Sequence, residues 1–310
     1  MEQAIREQYN KRIFNELIEK YGVQRNFIEP LGGFENFVYQ YRKEDQEFIL
    51  RISHTGLRRT KEQLHAEADF INYLAEHGIS VARPVASPMG NLVETADNEN
   101  PSFCAVSFEK AKGRAPEREH WTHSFCQSYG RLMGRIHCLT KDYQPSNPLY
   151  RRPDGVADLN GFAEKFLPSS ESAIITKWNE LLLYLKTLPA GRNEYGLIHQ
   201  DMHGGNFFVD DNGKITVFDF DDCQYFWFAH DLAMALFYVV PHHCENDLDD
   251  PWILEIPTFM KLREMDLYIA IHRSMDLNNL DRWCAGFMKG RKEKILNDIP
   301  YIDLNFSLFI

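Results

Sequence analysis

The residues of this chain best suited to chemistry lie between His199 and Asp231. Three carboxylates and an amide, Asp201, Asn206, Asp219 and Asp221, frame two runs of strand formers, Phe207-Phe208-Val209 and Ile215-Thr216-Val217-Phe218. Between the runs stands Asn212-Gly213, a strong hairpin signal because both central residues of a type I′ turn need positive φ. A turn centred there sets Asp211 against Lys214 and Asp210 against Ile215, and, continued outward, Asn206 against Asp219. Opposed residues in an antiparallel pair lie roughly 4.5–5.5 Å apart. An amide oxygen and a carboxylate at that spacing suit a hard cation such as Mg2+. Asp201, in the loop just before them, is placed to accept the proton of an attacking hydroxyl. The chemistry such a set serves is phosphoryl transfer, which depends on positioning and charge neutralisation.

The spacing His199-x-Asp201-x-x-x-x-Asn206 is similar to the catalytic loop of protein kinases, with Gln200 where an arginine is usual. Asp219-Phe220-Asp221 stands where those kinases carry Asp-Phe-Gly. The fuller strings IHQDMHGGN, VFDFDD and AHDLA resemble the aminoglycoside phosphotransferase and choline kinase-like family of small-molecule kinases. The resemblance implies an α+β, bilobed, protein-kinase-like fold, with a small antiparallel-sheet N-lobe over residues 1–108 and a larger, mainly helical C-lobe over 109–310. It implies ATP as phosphate donor, with GTP left open, and Mg2+ held by Asn206 and Asp219. Asp201 then orients the acceptor hydroxyl, and Asp221 either supports a second metal ion or holds the loop. His199 and His203 support the loop, His203 within the family's His-Gly-Gly-Asn variant. Asp231 begins a helix beneath the loop and pins its backbone.

The stretch before the motif supplies the nucleotide-covering parts. Residues 26–53 read as three strands, with Gly32-Gly33 in the first turn and Asn36 shortly after. Glycines there let backbone amides approach phosphates closely. Neither G-x-x-x-x-G-K-[ST] nor G-x-G-x-x-G is present, so P-loop and Rossmann readings lack support. Arg51, on the third strand, stands where protein kinases carry their phosphate-pairing lysine; its fork can grip phosphate or carboxylate oxygens. Its expected partner is Glu67 on the helix over about 60–77, with Glu62 and Asp69 as competitors. The polar run from Glu109 to Arg114 reads as the hinge whose backbone meets an adenine ring. Beyond the motif, Glu245 and Asp247 lie in an acidic loop. Such loops grip polycationic substrates in aminoglycoside kinases, although a solvated surface loop is the plainer reading.

Around these parts the periodicity predicts an amphipathic N-terminal helix over 2–21 and helices over 122–137, 171–188 and 232–240. Further helices follow over 252–290, and 141–170, rich in Pro, Asp and Ser, reads as a long loop in which Asp142, Asp154 and Asp158 are solvated. The aromatic run Tyr225-Phe226-Trp227-Phe228 reads as core, and the apolar end, Phe306 to Ile310, as docked or paired with a neighbour.

With 310 residues, 44% hydrophobic and 25% charged, the chain has the composition of a soluble globular protein with ample core. A net charge of −11 argues against nucleic-acid and anionic-membrane partners, since there is no basic surplus to release counterions. No apolar run has the length of a membrane span, and the start MEQAIREQYN is too polar for a signal peptide. Six cysteines without a C-x-x-C pair read as reduced residues of a cytoplasmic protein. The acceptor is a small molecule bearing a hydroxyl: an amino alcohol, a homoserine-like metabolite, a sugar or an aminoglycoside. Rival readings are a protein Ser/Thr kinase of the same fold, a nucleotide-binding member without turnover, and a structural role. Against the first, the span from Asp219 to Asp231 is short for an activation segment.

Overall fold

The computed structural model describes residues 3–33, 35–56, 59–96, 102–239 and 254–302. In chain order the first elements are α1 (Gln3–Gln8), α2 (Lys11–Lys20), β1 (Ile28–Gly32), β2 (Phe37–Lys43), β3 (Gln46–His54), α3 (Lys61–Glu76), β4 (Pro84–Val85), β5 (Val93–Thr95) and β6 (Phe103–Glu109). Then come α4 (His123–Thr140), α5 (Gly155–Leu159), α6 (Phe162–Phe166), α7 (Ser172–Leu185), β7 (Tyr195–Ile198), β8 (Phe207–Val209), β9 (Ile215–Val217) and β10 (Gln224–Trp227). Four helices complete the described chain: α8 (Phe228–Val239), α9 (Ile256–Ser274), α10 (Arg282–Met288) and α11 (Arg291–Leu296).

Two compact units result. The first joins 1–114 with 142–152 and 207–221; the second joins 115–141, 153–206 and 222–310. The boundary expected between 108 and 109 therefore differs from this division, because the chain returns to the first unit twice. The second return has a plain cause in hydrogen bonding. Val217 N–H donates to Ser80 O and Ala82 N–H to Val217 O, each at 2.9 Å, while Arg114 and Val209 exchange backbone bonds at 3.1 and 2.8 Å. Gly113 permits that last approach, since a Cβ there would meet Val209 O at 2.1 Å.

In the first unit an antiparallel sheet runs in the order β1-β2-β3-β6-β4, with β5 also on β6. The two-residue period of β3 sends Leu50 and Ile52 to one face, where they pack with Leu17 and Ile18 of α2. Arg51 and Ser53 go to the other. The expected single N-terminal helix is two, because the Asn10 side chain accepts from Arg12 N–H and Ile13 N–H and caps α2 afresh. Thr60 and Gln63 form a reciprocal capping box that starts α3, within a residue of expectation.

In the second unit α7, α8 and α9 enclose a core of Trp178, Leu182, Phe237, Phe259 and Met265 with Phe226 of β10. Burial of such side chains is worth roughly 1.5–3 kcal/mol each. The aromatic run at 225–228 is thus core, as its composition implied: Phe226, Trp227 and Phe228 are all buried. The stretch 141–170 is less of a loop than expected. Asp154 remains exposed but caps α5, accepting from Val156 N–H and Ala157 N–H, and Gly161 at φ 69 separates α5 from α6. No described helix is long and apolar enough to cross a membrane. The acidic loop with Glu245 and Asp247, and the apolar end at Phe306 to Ile310, lie outside the described residues.

Candidate active site

In the second unit the expected catalytic loop follows the β7–β10 ladder, in which Ile198 pairs with Gln224. The chain leaves β7 at Ile198 and must turn within a few residues. Asp231, in the first turn of α8 and fully buried, holds that turn. Its Oδ1 accepts from Gln200 N–H at 2.8 Å, and its Oδ2 from His199 N–H at 3.2 Å, with His137 Nε2 at 2.9 Å. Burial alone would raise the Asp231 carboxyl, but the His137 contact and the nearby His199 and His230 together hold its pKa below the usual range. Gln200 is drawn to φ 75, a left-handed conformation uncommon for such a residue, directly before Asp201.

Asp201 emerges from this turn with both oxygens engaged. Arg263 of α9 donates from Nη2 to Oδ1 at 3.1 Å, and Asn206 Nδ2 donates to Oδ2 at 3.2 Å and to the Asp201 carbonyl at 2.8 Å. His203 Nε2 lies 3.4 Å from Oδ2, while its Nδ1 accepts from Gly205 N–H at 2.9 Å. His199, fully buried, accepts from Asp201 N–H through Nδ1 at 3.3 Å. Tyr129 OH donates to Met202 O in the same loop. Burial pushes the Asp201 carboxyl up, yet Arg263 and then His203 hold it well below the usual carboxylate range, so it is ionised at neutral pH.

The first unit carries the remaining expected residues. Arg51 forks onto Glu67, Nη1 to Oε1 at 2.8 Å and Nη2 to Oε2 at 2.5 Å, and both side chains are buried. Asp69 instead accepts from Tyr143 OH at 2.6 Å and from Ser146, which settles between the competing acids by geometry. Asp219 Oδ1 lies 3.5 Å from Arg51 Nη1, and its side chain is 49% exposed. Asp221 is buried and differently occupied. Arg59 donates to both of its oxygens at 2.9 and 3.0 Å, Asn36 Nδ2 donates to Oδ2 at 3.0 Å, and Arg152 donates to its carbonyl at 2.5 Å. Burial would raise the Asp221 carboxyl, but Arg59 and Arg51 drive it far down. With both oxygens on a guanidinium, this carboxylate is tied into the fold of the first unit. Among the described residues no group of three or more His, Cys, Asp or Glu is arranged to hold a metal ion.

The hairpin register differs by one residue from expectation. Phe207 pairs with Val217, Phe208 with Thr216 and Val209 with Ile215. Gly213 has φ 77 whereas Asn212 is not among the positive-φ residues, so the turn is not type I′. Asp210 N–H donates to Lys214 O, and the Asp210 side chain accepts from Asn212 N–H and Lys214 N–H. The result is a three-residue connection with one left-handed glycine, and the turn no longer sets Asn206 opposite Asp219. In the β1–β2 connection Gly33 has φ 143, and a Cβ there would meet Asn36 O at 2.2 Å, so only glycine fits; Gly32 has φ 96 with open space around it. Glu109 ends β6, where its N–H donates to Arg83 O at 2.8 Å, and Lys110 N–H donates to Glu47 O at 3.3 Å. Arg59, Arg152, Arg263 and Tyr238 carry no motif signal, and sequence reading passed over all four.

Known proteins resemble this chain over most of its length. Residues 27–253 match the model of the phosphotransferase enzyme family. An amicoumacin kinase of Bacillus subtilis (strain 168) is 32% identical, covering 97% of this chain and 96% of its own. A homoserine kinase of Polaromonas naphthalenivorans (strain CJ2) is 26% identical over 69% of this chain and 66% of its own. Among solved structures, amicoumacin kinase hAmiN in complex with AMP-PNP, Ca2+ and Ami superposes with a TM-score of 0.90 at 31% identity, covering both chains fully. A microcompartment-associated aminopropanol kinase shares the fold at a TM-score of 0.72 and 22% identity, over 93% of this chain and 98% of that one. The chain belongs to the phosphotransferase enzyme family, has its protein-kinase-like α+β fold, and is a small-molecule kinase.

Proposed function

We propose that this kinase transfers the γ-phosphate of ATP to a hydroxyl of amicoumacin or a close analogue of it. The reaction rests above all on Asp201, a carboxylate kept ionised by Arg263 and His203 in a loop whose backbone Asp231 fastens. In the transfer the acceptor oxygen bonds to the γ-phosphorus as the bond from phosphorus to the bridging oxygen of ADP breaks. The hydroxyl proton passes to Asp201. Asn206 has its amide nitrogen committed to Asp201, which leaves Oδ1 to offer an ion, and Asp219 offers a half-exposed carboxylate. These are hard oxygen donors that fit Mg2+. Mg2+ supplies charge neutralisation across the phosphates when bound.

Arg51, fixed in place by Glu67, is the cation for the nucleotide phosphates, and the Gly32-Gly33 backbone covers them. Asn36 and Asp221 hold that connection and the loop together through their mutual hydrogen bond. Adenine meets the backbone of 109–113. The N–H groups of Glu109 and Lys110 are engaged within the fold, so the donor to adenine comes from Ala111 to Gly113. The choice of acceptor rests on the likeness to amicoumacin kinase, which spans nearly both chains, whereas that to homoserine kinase spans about two thirds of each. Five free cysteines among the described residues, three of them buried, suit a reducing cytoplasm.

ADP release in the presence of Mg2+ and ATP, measured against amicoumacin, homoserine, 1-amino-2-propanol, choline and an aminoglycoside, tests the reading. Amicoumacin is expected to give the highest kcat/KM, and Asp201→Asn to lower kcat by about 10²–10⁴-fold. A higher kcat/KM for another acceptor removes the assignment of substrate. Undiminished turnover by Asp201→Asn removes the proton acceptor.

A further inference from the structure

Arg263 is the side chain nearest to the chemistry that no motif accounts for. It lies on α9, 62 residues from Asp201 in sequence, and its guanidinium is pinned on three sides. Nη2 donates to Tyr238 OH at 2.8 Å and to Asp201 Oδ1 at 3.1 Å; Nε lies 3.3 Å from Tyr238 OH; Nη1 donates to Asp266 Oδ2 at 3.1 Å. The guanidinium carbon also sits 5.6 Å from the centroid of the Tyr238 ring, which in turn lies 4.6 Å from that of His203. A planar fork held at these points has one orientation. The two oxygens of Asp201 are consequently unequal. Oδ2 meets both Asn206 Nδ2 and His203 Nε2, while Oδ1 meets Arg263. An ionised carboxylate accepts about four hydrogen bonds, two at each oxygen, so Oδ1 keeps room for one more donor. Asp201 and Arg263 each retain about a fifth of their side-chain surface in solvent (20% and 18%), so the pair is not sealed off from a small molecule.

We propose that Arg263 is a positioning residue for phosphoryl transfer: it fixes the Asp201 carboxylate so that Oδ1 is the oxygen that receives the acceptor hydroxyl. This rests on the reading of Asp201 as proton acceptor given above. Arg263 acts through Asp201 and needs no contact with the phosphates. Tyr238 and Asp266 act one step further out, by holding the guanidinium in plane. A lysine at 263 supplies the charge but cannot keep the three anchors at once.

A kinetic double-mutant cycle tests this. Arg263→Met is expected to lower kcat about 10–100-fold, the cost of a misplaced catalytic group, with the KM for ATP changed by less than about two-fold. Arg263→Lys is expected to restore only part of the loss, and Tyr238→Phe, which frees one anchor without touching Asp201, to lower kcat by about 3–10-fold. In the Asp201→Asn background the addition of Arg263→Met is expected to change kcat by less than about two-fold, since residues that act as a unit are non-additive. The same factor lost in both backgrounds would show that Arg263 acts on acceptor or phosphates directly and overturns the inference. So does an elevated acceptor KM at unchanged kcat. Should Arg263→Met fail to show a cooperative melt by far-UV circular dichroism, Arg263→Lys and Tyr238→Phe carry the same cycle. Asp201→Asn with wild-type turnover would defeat the proton-acceptor reading itself, a result distinct from additivity between two impaired variants.

Discussion

His230 gives this protein a dependence of stability on pH that can be worked out from its surroundings. The imidazole is 2% exposed in the first turn of α8, edge-on to Phe226 and Phe259 with ring centroids at 5.2 and 5.8 Å, and its buried Nδ1 has no hydrogen-bond partner among the described residues. Burial pushes its pKa down from 6.5 to about 4; Asp231 opposes the fall, Arg263 adds to it, and Asp201 opposes it. Between those two pH values the unfolded chain binds a proton that the folded chain does not. Stability is therefore complete above pH 6.5 and is lost as pH falls towards 4. At about 1.36 kcal/mol per pH unit the gap amounts to about 3 kcal/mol across the window. His230→Phe keeps an aromatic of similar shape and removes the unpartnered nitrogen, so at pH 7.5 its stability is expected within about 1 kcal/mol of wild type. Urea unfolding followed by far-UV circular dichroism at half-unit steps from pH 4.5 to 7.5, at constant ionic strength, should show the two proteins diverging in favour of the variant as pH drops. His65 and His272 are also depressed by burial, but they are present in both proteins and cancel in the difference. Parallel curves over the whole range would mean that the folded protein accommodates a charged His230, and would refute the burial account.

Glu67→Ala should strand Arg51 in a buried site, with its nearest remaining carboxylates at 3.5 and 3.6 Å, and cost about 3–5 kcal/mol, read as a lower urea midpoint. An unchanged midpoint would mean that Asp219 or Asp221 takes over the guanidinium at no cost. Asp231→Ala removes the acceptor of two backbone N–H groups, each worth about 1–3 kcal/mol when left unsatisfied. Hydrogen exchange at His199 and Gln200 should then speed up by at least about tenfold while exchange in α7 stays as it was. Equal exchange in the two proteins would show that something other than Asp231 fastens the loop.

The hairpin shows how far the sequence could be read and where a better signal was passed over. Asn212-Gly213 suggested a two-residue turn, but Asp210 changes the outcome, because an aspartate at the first position of a turn favours type I by bonding to backbone amides ahead of it. The side chains say the same. Phe207, Val209, Ile215 and Val217 are buried, and directly opposed residues share a face. Only the observed register opposes buried to buried; the type I′ register would have set Val209 against half-buried Thr216. Helices α3 and α4 were legible because their period and N-caps agree, and α7 from its period alone. Helices α5 and α6 were not, because five residues are too few to show a period; α5 starts at the cap on Asp154 and α6 at the left-handed Gly161.

The acids were legible as a set, but their division of labour was not, and the reason is electrostatic. Asp219 and Asp221 look equivalent in sequence, two residues apart in DFD. Their roles separate only when Arg59 and Arg152 arrive, one from just before the Thr60 cap and one from a stretch that reads as loop. A buried carboxylate must find a compensating charge or lose its own, and Asp221 finds it in the guanidinium fork of Arg59. Asp219, by contrast, is half-exposed, with Arg51 Nη1 3.5 Å from its Oδ1, so solvent and a solvated ion can reach its carboxylate. The same logic places Arg263 beside Asp201. In the transfer proposed above the proton acceptor must stay ionised yet keep an oxygen open, and a distant arginine anchored on its far side by Tyr238 and Asp266 meets both conditions.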